Sequence, residues 1–94
     1  MRVELENKGD DELLFFIAED SAHIGEMYAA ITEPKVITIY HTHVKEAYQG
    51  RHLGELLVEN SVNYARKNQL RIVPSCSYAQ GVFARRKDFN DVLA

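Results

Sequence analysis

Tyr48-Gln49-Gly50-Arg51-His52-Leu53-Gly54 separates two hydrophobic rhythms, and the fold is read outward from it. Upstream, from Val36 to Val44, apolar and polar residues alternate with the period of two expected of a strand. Ile37, Ile39, His41 and His43 are expected on one face, and Val36, Thr38, Tyr40, Thr42 and Val44 on the other. Downstream, Gly54, Leu57, Val58, Ser61, Val62 and Ala65 recur at helical spacing, with Glu55, Glu59, Asn63 and Arg66 mostly off the stripe. Glu55 near the start and Arg66 and Lys67 near the end complement the helix dipole. The segment is therefore a strand, a turn and a helix.

Earlier in the chain, Val3 and Leu5 alternate with charged neighbours, and Asn7-Lys8-Gly9-Asp10 supplies turn chemistry before the apolar run Leu13 to Ala18. Ile24 to Ile31 is a third strand, separated from the fourth by Thr32-Glu33-Pro34-Lys35, where Pro34 favours a turn. After the helix, Leu70 to Val73 is a short strand ended by Pro74. Ser77 to Lys87 is a second helix with Ser77 as cap and Tyr78, Val82 and Phe83 turned inward, and Phe89 to Leu93 packs as a tail. The order of elements gives an α+β domain over residues 1–94, with a mostly antiparallel mixed sheet of about five strands and two main helices.

At 94 residues, one domain is expected and a multi-domain enzyme is excluded. The chain is 46% hydrophobic and 27% charged, which fits a folded chain rather than a disordered one. A net charge of -3 gives no general attraction to nucleic acid or anionic lipid. The distribution is uneven: residues 1–47 hold ten acids and four bases, and residues 48–94 hold four acids and seven bases. An anionic ligand is thus expected in the second half. The single cysteine, Cys76, forms no internal disulfide, and the longest apolar run near the N-terminus, Leu13 to Ala18, has six residues. A reduced, cytoplasmic setting without a signal peptide or membrane span is expected.

Backbone N-H groups at a helix start lack internal partners, so a loop bending at Gly50 before such a start can wrap a phosphate. Arg51 adds a cationic fork. The same residues also serve as an ordinary helix start, and Gly54 suits close helix packing with or without a ligand. Neither nucleotide motif, GxGxxG or GxxxxGK[ST], occurs. His41 and His43 have the spacing that begins a zinc site, but two ligands are too few, so no metal is expected.

The stretch His41-Thr42-His43-Val44, followed by YQGRHLG and then NYARKNQLRIVPSCSYAQGVFARRKDFNDVL, resembles the small single-domain GCN5-related N-acetyltransferase-like proteins of the yjdj type. The resemblance implies a shortened acetyltransferase fold that binds acetyl-CoA. It implies that Gln49, Gly50, Arg51, His52, Leu53 and Gly54 wrap the pyrophosphate, and that His43 and Val44 lie beside the pantetheine and thioester. Cys76 and Tyr78 would line the far side of the cleft. The chain departs from the family pattern at His52, where Gly is usual, and at His43, where Glu is common.

The implied chemistry is acetyl transfer from a thioester to an unidentified amine on a small molecule or a protein. A lysine-type amine has a pKa of about 10.4, so a base must be within reach, and His43 and His41 are the candidates. Tyr78 is the candidate acid for the leaving thiolate. Cys76 either carries the acetyl group covalently or only packs. The alternative function is a non-catalytic coenzyme A or acyl-CoA binder acting as sensor or adaptor. No nucleic acid or membrane partner is expected, and monomer and homodimer both remain open.

Overall fold

The structure, a computed structural model, describes residues 2–94. Five strands form one sheet in the order of the chain: β1 (Val3–Asn7), β2 (Glu12–Glu19), β3 (Ala22–Glu33), β4 (Val36–Val44) and β5 (Arg71–Pro74). The first four pair antiparallel, and β4 pairs with β5 in parallel. A parallel pair needs a crossover, and α1 (Leu53–Asn68) supplies it. Asp20 and Ser21, both at positive φ, form the two-residue turn between β2 and β3, which suits the twist of a hairpin.

One face of the sheet carries the core. Leu13, Phe15 and Ile17 of β2 and Met27 and Ala29 of β3 pack with Leu57, Val58, Val62 and Ala65 of α1. The helical stripe read from the sequence is the buried face, Ser61 and Gly54 included. The hydroxyl of Ser61 donates to the carbonyl of Val58, which satisfies that polar group in the core. The second helix, α2 (Ser77–Arg85), adds Ala79, Val82 and Phe83 to the same core. A 3-10 segment, Lys87–Val92, closes it with Phe89 and Val92, and Ala94 N-H donates to the carbonyl of Ile72.

Ion pairs bind these elements across sequence. Glu55 of α1 meets both Arg85 (3.1 Å) and Arg86 (2.8 Å), Arg86 also meets Asp88, and Arg66 meets Asp91. The Arg86 guanidinium lies 4.2 Å from the centroid of the Phe89 ring. Four of the seven bases in the second half therefore hold α1, α2 and the C-terminal segment together, Arg71 through the carbonyl of Leu93.

Three expectations are corrected. The period-two reading put His41 and His43 on one face with Ile37 and Ile39. In β4, however, His41 pairs with Tyr28 and Ile39 with Ala29, so Tyr40 is an extra, unpaired residue. This bulge reverses the alternation: Ile37 and Ile39 enter the core, while His41 turns to the opposite face, its ring 5.8 Å from that of Tyr28. The cap of α2 is Cys76, not Ser77, its sulfur accepting from Ala79 N-H. The helix ends at Arg85 rather than Lys87.

Candidate functional site

The pairing of β4 with β5 stops at Ile39 and Pro74. There the carbonyl of Ile39 accepts from the N-H groups of both Ser75 and Cys76, which turns the chain away into α2. Residues 40–44 of β4 are left with no strand on that side, and the opening is a cleft of about 360 Å³. That volume is at the low end of ligand pockets, which run from about 300 to 1,000 Å³.

The walls come from three elements. Thr42, His43 and Val44 line the β4 side, and Tyr48, Gln49 and Gly50 form the loop. His52, Leu53 and Gly54, the start of α1, form the end wall, and Tyr78 of α2 stands opposite. Eight of the eleven residues singled out from the sequence thus meet around one cleft. The other three stand back from it, His41 beside Tyr28 on the opposite face of the sheet. Arg51 is exposed, its guanidinium 5.2 Å from the centroid of the Tyr48 ring. Cys76 is partly buried behind Thr42, whose hydroxyl lies 3.4 Å from its sulfur.

The loop is held by specific bonds. Gln49 donates its side-chain amide to the carbonyl of Val44 (3.0 Å), which ties the loop back to β4. The hydroxyl of Tyr48 donates to Glu19, which joins the loop to the turn after β2 and holds the tyrosine above its ordinary pKa. Gly50 has φ +84, and a Cβ built on it meets nothing within 4 Å, so it serves the bend rather than a close contact. His52, the residue before α1, also has positive φ (60) and makes no capping hydrogen bond. The first N-H groups of α1 are therefore free of any side-chain cap, and the helix dipole there favours negative charge.

Gly54 and Tyr78 are matched. A Cβ on Gly54 would lie 2.6 Å from Cζ and from the hydroxyl oxygen of Tyr78. Tyr78 is 39% exposed, so it lies along the start of α1 facing the cleft instead of turning inward as the helical pattern suggested. Thr42 and Tyr48 also belong to the site; both lie in the stretches that carry the resemblance, but no role was expected of either. Thr42 reaches it only because of the bulge at Tyr40, and Tyr48 is fixed by Glu19, twenty-nine positions away. Among the described residues, no group of three metal-ligating side chains comes together, and no helix is long and apolar enough to cross a membrane.

The sequence profile of the GCN5-related N-acetyl-transferase family matches residues 14–92. No curated protein matches the chain significantly. Among solved structures, a GCN5-like protein from Staphylococcus aureus determined by NMR aligns with a TM-score of 0.72 at 27% identity, over 97% of this chain and 87% of its own. The ribosomal-protein-S18-alanine N-acetyltransferase of Escherichia coli aligns with a TM-score of 0.67 at 18% identity, over 82% of this chain and 52% of its own. An aminoglycoside N-acetyltransferase solved in complex with CoA gives 0.60 at 16%, over 82% of this chain and 67% of its own. The chain spans most of the first protein and about half of the second.

Proposed function

Since the chain belongs to the GCN5-related N-acetyltransferase family, we propose that it takes acetyl-CoA into the cleft beside β4 and transfers the acetyl group to an amine. The observation that carries this reading is the parting of β4 from β5 next to an uncapped helix start, with the Gly50 bend between them. One opening offers free strand edge, and its end wall offers anion-binding N-H groups. Those two chemistries suit the amides of a pantetheine arm and the pyrophosphate at its end. The likeness of the chain to the S. aureus protein, 87% of whose length it matches, supports a place among the small members of the yjdj type.

When bound, acetyl-CoA supplies a thioester whose carbonyl carbon is open to attack. Gly50, His52, Leu53 and Gly54 hold the pyrophosphate through backbone N-H groups, and Arg51 adds its charge from outside the loop. Gln49 keeps the loop fixed to Val44. A backbone N-H of the free β4 edge near Val44 supports the carbonyl oxygen as charge develops on it. His43 receives the proton that the ammonium acceptor loses, and the amine nitrogen forms the new C–N bond as the C–S bond breaks. Tyr78 donates its hydroxyl proton to the departing sulfur and regains, by way of water, the second proton that the nitrogen sheds as the amide forms.

Cys76 is assigned a supporting part in direct transfer. Its sulfur already accepts Ala79 N-H as the cap of α2 and touches the Thr42 hydroxyl, so it fixes where α2 begins relative to β4. The test is release of free thiol from acetyl-CoA with and without a panel of amines. Amine-dependent release that falls in a Tyr78→Phe variant is the expected result. Saturable binding with no release for any amine would instead establish the non-catalytic coenzyme A binder.

A further inference from the structure

Both helices and the C-terminal segment contribute to the core on one face of the sheet, and among the described residues no helix packs on the other. Register fixes what that bare face presents. Phe16, Glu26 and His43 form one row across β2, β3 and β4, and Leu14, Tyr28 and His41 form the next, in which Leu14 itself is buried. Rings are in contact along it: Phe16 stacks on His23 at 4.1 Å, and Tyr28 lies 6.3 Å from Tyr40. Tyr40, the bulged residue, is 45% exposed and donates its hydroxyl to Glu12 (2.9 Å).

The strands on this side carry acidic charge, with Lys8 of the loop after β1 lying 3.7 Å from Glu6. β1 to β4 contain six glutamates and no lysine or arginine. Glu4 pairs with Phe16 and Glu6 with Leu14, so both share the bare face with Glu12 and Glu26. The nearby carboxylates also raise the pKa of Tyr28, chiefly through the charge of Glu26, and of Tyr40, chiefly through its bond to Glu12. Aromatic rings beside carboxylates attract cations through both ring quadrupole and charge.

We infer that this bare face docks a lysine-bearing segment of a protein, which delivers a lysine past His43 to the cleft. The inference rests on the acetyltransferase reading and extends it to the acceptor. His43 is the link, since it ends a row of the bare face and also lines the cleft. A second copy meeting the same face would set its glutamates against these, and nucleic acid or anionic lipid is repelled by the same charge. From Glu12 to Phe16 the face extends about 14 Å along β2, more than a single small amine covers and well matched to an extended segment.

The test is an NMR titration of the ¹⁵N-labelled full chain with acetyl-CoA and, separately, with a short lysine-alanine peptide at low salt. Expected are shifts at Gly50 and Gly54 with acetyl-CoA, and shifts across β2 to β4 with the peptide, whereas a glutamate-alanine peptide gives none. Glu12→Gln is expected to weaken the peptide about two- to fivefold, the effect of one exposed charge pair, whereas Glu59→Gln on α1 leaves it unchanged. Acetyl-CoA binding without peptide shifts on the face overturns the docking and leaves the acetyltransferase reading intact. Peptide shifts without acetyl-CoA binding overturn that reading and the acceptor role with it. Equal affinity for spermine overturns the protein-segment assignment, and concentration-dependent shifts of this face without peptide assign it to a second copy.

Discussion

Substituting Gly54 by Ala separates the geometry of the cleft from the stability of the fold. The added Cβ would lie 2.6 Å from Cζ and the hydroxyl oxygen of Tyr78 and 2.7 Å from its Cε2. The ring must therefore give way by about 1 Å to regain an ordinary carbon contact of about 3.5–4.0 Å. A ring locked in a core would resist at a cost of about 1–3 kcal/mol. Tyr78 is 39% exposed and free to swing outward, so that cost is avoided and only its packing against α1 is lost. Alanine in a helix recovers about 0.8–1.0 kcal/mol over glycine. The net change in stability is expected within about 1 kcal/mol, a shift in Tm of no more than about 8 °C for a domain of this size. Activity responds differently, because a displacement of about 1 Å at a reacting group costs on the order of a hundredfold. Thermal unfolding and acetyl-CoA-dependent thiol release are measured on Gly54→Ala, Tyr78→Ala and the double variant. Both single variants are expected to lose activity alike, and the double variant to be no worse than either. Full activity in Gly54→Ala, or additive losses in the double variant, would refute the role given to this pair.

Replacing His52 by Gly relieves a left-handed backbone that costs about 1–2 kcal/mol in a residue with a side chain, against about 0.5–1 kcal/mol for the freedom of glycine in the unfolded chain. Chemical denaturation should show a gain of up to about 1.5 kcal/mol, and a loss would contradict the strain. In Cys76→Ser the hydroxyl keeps the cap of α2, so direct transfer leaves the rate within about threefold, whereas removing a covalent nucleophile costs several orders of magnitude. Glu55, Asp88 and Asp91 have lowered pKa values, chiefly through bonds to Arg86, Arg86 and Arg66 respectively. Their contribution to stability is complete above the ordinary carboxylate values of 4.5 and 3.8 and is lost as pH falls below them. The acid limb of a Tm-against-pH curve should therefore flatten in Arg86→Gln, and an unchanged limb would exclude these pairs as its source.

Local rules carried the elements of this chain. The turn residues around Gly9 and Pro34, the alternation of β1 and the stripe from Gly54 to Ala65 each lie within one element, so neighbouring residues determine them. The strand-to-helix loop was equally plain, because a change of period at Gly50 needs no knowledge of what packs where. Tyr40 marks where this kind of reading stops. Alternation presumes unbroken pairing, and one unpaired residue sends His41 and His43 to the face opposite the one expected for them. Tyr78 is a second case, since the room it occupies exists only because residue 54, on another helix, lacks a side chain. The bonds of Tyr48 to Glu19 and of Glu55 to Arg86 join positions about thirty apart, a distance over which spacing carries no signal.

The central claim is that the opening beside β4 receives acetyl-CoA, and calorimetric titration of the purified protein tests it most directly. The account expects saturable one-to-one binding, with acetyl-CoA bound more tightly than adenosine 3',5'-bisphosphate, because the bisphosphate lacks the arm that the free edge of β4 would hold. No heat from acetyl-CoA up to millimolar concentration, or equal affinity for the bisphosphate, would contradict it.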